Sequence, residues 1–306
     1  MSLMPPVPVA SPVAPPAAGV ALDPVVAWFN GASRALPWRD NPEPWAVLVS
    51  EVMLQQTPVE RVLPAFERWM ERWPTPTDLA ADSPGRAIRE WGRLGYPRRA
   101  LWLHGAAIAC RDRFGGRVPS DIADLRSLPG VGEYTAAAVA SFAFGQRHAV
   151  LDTNVRRVHA RWLDGTERPA NATPNNRERL RALALLPDDP FAAAQASVAV
   201  MELGALVCKA RTPRCDRCPV AGSCAWRSTG HPSSTHTSRP RQAYEGTDRQ
   251  CRGRILGVLR EATSPVTQHE LDGAWQDVDQ CRRALTSLIE DGLVTGDPRT
   301  GFRLPD

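Results

Sequence analysis

The chain has 306 residues, room for about two domains, and its 43% hydrophobic and 23% charged residues exclude a wholly disordered protein. The net charge is only +4, so no overall basic flood coats the molecule; seven basic residues instead gather between Cys208 and Ala243 against Asp216 alone, a local patch suited to a polyanion. The first 22 residues hold six prolines and no charged side chain, which excludes a signal peptide or a membrane span and reads as a disordered tail over 1–21.

From Asp23 onward the periodicity is helical. A short helix starts at Pro24–Phe29, and Pro44–Gln56 is apolar enough for a buried helix. Further helices fit Val59–Arg72, Thr77–Ala81, Gly85–Gly92, Arg98–Phe114 and Ile122–Leu128, before a turn at Pro129–Gly132. The small-residue run that follows is a buried helix ended by Gly145. Asp152–Leu163, Asn176–Leu186 and Phe191–Val207 complete an all-α set, since no strand ladder is visible before residue 290. The Ser-, Thr-, Pro- and Arg-rich stretch over 229–245 reads as a linker. Beyond it, Arg249–Glu261, Thr267–Trp275 and Val278–Asp291 are helical, and two short strands flank Gly296–Gly301, the outline of a winged-helix-like module over 246–306.

Four of the seven cysteines, Cys208, Cys215, Cys218 and Cys224, crowd into one loop, which is unlike a secreted disulfide framework and suits a reducing compartment. Four thiolates hold either tetrahedral zinc or a [4Fe–4S] cluster; one Cys-x-x-Cys pair flanked by two lone cysteines favours the larger cluster. The same loop projects Arg211, Arg214 and Arg217, suited to DNA phosphates. The string Leu128, Gly130, Val131, Gly132 between two helices is either an ordinary helix-capping turn or a nest of open amides that takes a phosphate without reading the base.

Two carboxyls stand out. Glu51 has Val47, Leu48 and Leu54 on its helical face, so it sits either in an apolar environment that keeps it protonated or at a solvated rim. Asp152 opens a helix and is either a plain N-cap or a reacting carboxylate. Together with a DNA-binding turn, the pair matches the two-carboxyl logic of glycosidic bond cleavage. Arginine accounts for 36 of the 37 basic residues, leaving Lys209 as the one lysine amine for any Schiff-base chemistry.

SEVMLQQT (Ser50–Thr57), WGRLGY (Trp91–Tyr96), LPGVGEYTA (Leu128–Ala136), LDTNVRRV (Leu151–Val158), MELGA (Met201–Ala205) and the cysteine loop occur in one order. Over roughly residues 22–228 they resemble the helix-hairpin-helix DNA glycosylases, and within them the MutY-type adenine glycosylases. The resemblance implies an iron–sulfur domain (22–35 and 147–228) beside a helical barrel carrying the hairpin (36–146), with DNA in the cleft between them. It implies excision of adenine mispaired with 8-oxoguanine or guanine, a base excision repair step, and a [4Fe–4S] cofactor. In that pattern Glu51 is the acid for adenine N7, and Asp152 stabilises the oxocarbenium ion. Tyr134 and Asn154 line the site, and Gln56 and Tyr96 wedge into the duplex while adenine is flipped out. The partner implied is double-stranded DNA, with no membrane, for a monomer in a bacterial cytoplasm at the nucleoid.

The related endonuclease III cuts the backbone through a lysine where this chain has Tyr134, so the resemblance implies a monofunctional enzyme. Pro97 replaces a second tyrosine of the wedge. Many family members end in a Nudix-like β domain that checks for 8-oxoguanine, whereas 246–306 is helical; the basic linker and the wing are expected to contribute to that recognition. The competing readings are a sister glycosylase for another base such as thymine, and a non-catalytic DNA-binding iron–sulfur regulator.

Overall fold

A computed structural model describes residues 21–233 and 244–306; the expected tail up to residue 20 and the middle of the expected linker lie outside the described residues. The helices run α1 (Asp23–Ala32), α2 (Pro37–Asp40), α3 (Pro44–Leu54), α4 (Val59–Arg72), α5 (Pro76–Ala81), α6 (Pro84–Trp91), α7 (Arg98–Arg113), α8 (Ile122–Arg126), α9 (Glu133–Phe144), α10 (Thr153–Trp162), α11 (Asn176–Leu185), α12 (Pro190–Leu206) and α13 (Ala225–Ser228). They are followed by α14 (Asp248–Glu261), α15 (Gln268–Asp272), α16 (Val278–Glu290) and a hairpin of β1 (Thr295–Asp297) and β2 (Gly301–Arg303). The chain is thus helical, as expected, with a wing at its end.

Local chemistry sets many of these boundaries. Proline opens α3, α6 and α12, where its missing N–H is no loss. Reciprocal capping boxes start α5 (Thr75 with Asp78), α11 (Asn175 with Glu178) and α15 (Thr267 with Glu270). The antiparallel pair registers Thr295 with Arg303, Gly296 with Phe302 and Asp297 with Gly301, and an isolated bridge from Val266 to Phe302, outside the hairpin, is one that periodicity did not indicate.

The described residues form two compact units: one of 21–34 with 145–233, the other of 35–144 with 244–306. In the first, α1, α10 and α12 enclose Val25, Val155, Val158, Ala199 and Leu203, and the cluster-loop cysteines border this core. MELGA has a structural role here. Glu202 is fully buried and accepts from the backbone N–H, Nε and Nη2 of Arg34 at 3.1, 2.8 and 2.6 Å, an ion pair tying the end of α1 to α12.

In the second unit, α3 is buried along its whole middle, from Trp45 to Met53, and packs against α9. The C-terminal module shares this unit's core. Ile255, Leu259, Leu288 and Phe302 belong to one apolar cluster with Ile88, Trp91 and Leu103. Gly85 donates to Pro305 O at 2.7 Å, an approach so close that a Cβ there would lie 2.2 Å from the same oxygen. Arg260 Nε donates to Ile88 O at 3.1 Å, and Arg98 pairs with Asp291 at 3.2 Å. Residues 246–306 hold eight arginines against ten carboxyls, a balance of −2. The module is therefore docked on α6 and α7 as part of a core, not a basic appendage.

Candidate active site

Glu51, Gln56, Tyr96 and the hairpin belong to the unit of residues 35–144. Glu51 lies in the fully enclosed stretch of α3 and is only 6% exposed, so the solvated-rim alternative falls away. At the end of α3 the chain turns sharply through Gln55, Gln56 and Thr57. Gln56 is exposed with φ +56°, while Thr57 is buried and its N–H returns to Leu54 O at 3.2 Å. Gln55 Nε2 reaches Thr135 Oγ1 at 3.5 Å, linking this turn to the start of α9. Tyr96 is 51% exposed and also left-handed, at φ +48°.

The hairpin joins α8 to α9 within the same unit. Leu128 and Val131 bury their side chains, 3% and 6% exposed, so any part they take in holding DNA runs through their backbone. Gly130 has φ +76°, and a Cβ on it would lie 2.6 Å from the Cβ of Trp102, so only glycine fits against α7 there. Gly132 is exposed at the start of α9, whose first N–H groups have no partner within the helix. That is the geometry of an anion-binding helix terminus. Tyr134 is half-buried in the first turn of α9.

Asp152, Asn154 and the cysteine loop belong to the other unit. Asp152 is the N-cap of α10, accepting from Val155 N–H at 2.6 Å, and its other oxygen accepts from Asn154 Nδ2 at 2.7 Å. The capping alternative is thus realised in the structure. Burial pushes the carboxyl's pKa up from its ordinary value, opposed by the Val155 and Asn154 hydrogen bonds and the charge of Arg157.

From Asp152 a continuous set of contacts leads to the cysteine loop. Asn154 Oδ1 accepts from Arg157 Nη2 at 2.7 Å, and Arg157 also donates to Gly204 O at 2.7 Å and Cys208 O at 2.8 Å. Arg161 donates to Lys209 O at 2.7 Å and Ala210 O at 2.9 Å, lies 3.5 Å from Cys208 Sγ, and stacks 4.5 Å from the centre of the Trp226 ring. A Cβ on Gly204 would lie 2.7 Å from the Asn154 Cβ, so the glycine of MELGA is required by the closeness of α12 to the start of α10. Sequence reading missed Arg157, Arg161 and Gly204. Arg157 was visible in LDTNVRRV and Arg161 lies one turn beyond it, but the carbonyls they bind are about fifty residues away.

The four cluster-loop cysteines are unpaired and half-buried. Burial, with a further contribution from the neighbouring thiols, pushes Cys218 up to about 11 and raises Cys215 as well. Among the described residues no three His, Cys, Asp or Glu side chains gather as a site for a single metal ion. Thiols held neutral by burial and mutual repulsion gain most from a cationic core that removes both penalties, so the soft donor set fits an iron–sulfur cluster. Arg211, Arg214 and Arg217 are all exposed on this loop.

Residues 49–182 match the helix-hairpin-helix superfamily of base excision DNA repair proteins, and residues 208–224 match the iron–sulfur binding domain of endonuclease III. An adenine DNA glycosylase of Mycobacterium tuberculosis is 52% identical over 283 residues, covering 92% of both chains, a span that must run into residues 246–306. Among solved structures, a thermostable thymine-DNA glycosylase superposes with TM-score 0.62 at 26% identity, over 68% of this chain and 95% of that one. A trapped endonuclease III–DNA covalent intermediate superposes with TM-score 0.58 at 26% identity, over 68% of this chain and 94% of that one.

Proposed function

The chain belongs to the adenine DNA glycosylase family, in the helix-hairpin-helix superfamily of base excision repair proteins, and from that premise we propose that it hydrolyses the N-glycosidic bond of adenine mispaired with 8-oxoguanine or guanine in double-stranded DNA. The observation that carries the reading is the contrasting treatment of two carboxyls: Glu51 enclosed in α3, and Asp152 held by a backbone N–H and an amide at the start of α10.

Adenine leaves the stack before reaction, and Gln56 and Tyr96 fill the gap it leaves. Glu51 gives its proton to N7, so the electron pair of the breaking bond between C1′ and N9 is drawn into a neutral purine. The carboxylate of Asp152 faces the positive charge that develops on the sugar, directly or through a transient adduct. Water then adds to C1′ and its proton restores the acid. Tyr134 and Asn154 line the site, Asn154 by holding the Asp152 oxygen. Backbone amides at Gly130 and Gly132, with Arg211, Arg214 and Arg217, hold phosphates.

The chain carries a [4Fe–4S] cluster, for which Cys208, Cys215, Cys218 and Cys224 are the proposed ligands. When bound it fixes the loop that presents the three arginines. Tyr134 offers no amine and Lys209 is the one lysine, so the enzyme is monofunctional. It acts as a monomer in the cytoplasm, at the nucleoid; among the described residues no helix is long and apolar enough to cross a membrane.

The test is a single-turnover assay on an end-labelled duplex with adenine opposite 8-oxoguanine, developed with and without alkali. Strand cutting only after alkali is expected; cutting without alkali overturns the monofunctional assignment. The likeness to a thymine-DNA glycosylase favours one other reading. A parallel duplex with thymine opposite guanine decides it, because release of thymine and not adenine would replace the main reading. The share of the wing in reading the opposite base is tested by Arg299→Ser, at an exposed position that leaves the docked helices untouched. A reduced preference for 8-oxoguanine over guanine is expected, and an unchanged preference removes the wing from recognition.

A further inference from the structure

Arg99 is 2% exposed, near the start of α7, where a helix dipole disfavours a cation. Its guanidinium turns away from its own helix toward two turns. Nη1 donates to Val52 O, Met53 O and Gln55 O at 2.8, 3.1 and 2.6 Å, gathering the last carbonyls of α3. Nη2 donates to Thr57 Oγ1 at 3.0 Å, just past Gln56, and to Gly95 O at 3.1 Å, just before Tyr96. The group also lies 5.2 Å from the Trp91 ring centre and 5.3 Å from that of Tyr96. Its Nε–H is buried with no partner, so the guanidinium is not arranged to satisfy itself. Burial pulls it down to about 10, leaving it protonated at neutral pH.

A second observation is independent of those contacts. Among the described residues only three non-glycine side chains have left-handed backbone, and two of them are Gln56 and Tyr96. Such backbone is unfavourable for a residue with a Cβ and persists only where the surroundings over-determine it. Both turns here are fastened to one cation.

We propose that Arg99 is a positioning residue that holds Gln56 and Tyr96 in strained turns as one two-pronged wedge, so that both enter the duplex together when adenine leaves it. The proposal rests on the reading of those two residues given above. A planar fork with five donors spans carbonyls on two turns; the point charge of a lysine does not.

The test uses the full-length, cluster-loaded protein and its Arg99→Lys and Thr57→Val variants. The duplex carries 2′-fluoro-deoxyadenosine, which resists hydrolysis, opposite 8-oxoguanine, with fluorescent 2-aminopurine as its neighbour to report unstacking. Arg99→Lys is expected to bind within about threefold of wild type yet lose most of the fluorescence rise. Its single-turnover rate on ordinary adenine at saturating enzyme should fall about tenfold or more. On a duplex whose adenine faces an abasic analogue, so that less unpairing is needed, the deficit should shrink below about threefold. A normal fluorescence rise overturns the proposal. So does an equal rate deficit on both duplexes, which would mean that Arg99 only braces the helix bearing Glu51. Should Arg99→Lys fail to fold, Thr57→Val decides: it removes one acceptor on the Gln56 side, and normal unstacking in that variant overturns the proposal. A wild-type protein that unstacks the reporter but releases no adenine would instead overturn the proposed reaction and leave the wedge standing.

Discussion

Glu51 and Asp152 are the same functional group in opposite settings. Glu51 lies in the middle of a helix whose residues Trp45 to Met53 are all enclosed. Asp152 is at the rim of a helix, with each oxygen accepting a hydrogen bond and an arginine two contacts away. Burial acts on both; at Asp152 two hydrogen bonds and the charge of Arg157 oppose it, which are the levers by which a protein sets the protonation of a carboxyl.

Isosteric amides break that comparison most sharply. Glu51→Gln removes the proton donor and should lower single-turnover excision about 10³-fold. Asp152→Asn should lower it by a similar order, yet asparagine caps helices as well as aspartate, so urea melts should stay within about 0.5 kcal/mol of wild type. A large stability loss in Asp152→Asn would mean that the carboxylate is chiefly structural.

Next in size is Gly204→Ala. The added methyl meets Asn154 at 2.7 Å from its Cβ and 2.9 Å from its carbonyl oxygen, so α10 and α12 must separate. A stability loss of about 1–3 kcal/mol is expected, with slowed excision. Unchanged melts would show that the start of α10 yields easily.

His159 sets a smaller, pH-dependent effect in the same unit. Burial, aided by the charge of Arg181, pulls it from the ordinary 6.5 to about 4. The unfolded chain therefore takes up the proton first, and stability is lost as pH falls through that window. Urea melts should weaken by about 2 kcal/mol between pH 7 and pH 5, and His159→Gln should abolish that slope.

The smallest effect sharpens the account of Asp152. Its raised pKa places the acid limb of the excision profile above the range of an ordinary aspartate, because activity is lost as the carboxylate gains a proton. Asn154→Ala removes one hydrogen bond to the ionised form and should move that limb further upward. A downward shift would reverse the assigned role of Asn154.

Much of the site is legible in the sequence because its signals are contiguous. A capping aspartate before Thr153–Asn154–Val155, a glycine turn ahead of a small-residue helix, and four cysteines in one loop are each recognised by neighbours in the chain. The buried α3 was equally plain, since an apolar run of that length has few other fates. Less legible were residues whose partners carry no side-chain signature. Arg99, Arg157 and Arg161 bind backbone carbonyls, which every residue owns, and nothing local separates them from the many solvated arginines of this chain.

By itself, then, the sequence determined the helical class, the cluster loop and the turn ahead of α9, and marked both carboxyls as candidates, because period, cap and ligand spacing are properties of adjacent residues. Tertiary structure alone decided that Leu128 and Val131 turn inward, that Gly204 must lack a side chain, and that residues 246–306 join the core of the barrel unit. It alone placed one buried guanidinium between two strained turns. The reason is physical: close approach and carbonyl capture depend on which distant segments meet, and burial is a property of the packed chain, not of any stretch within it.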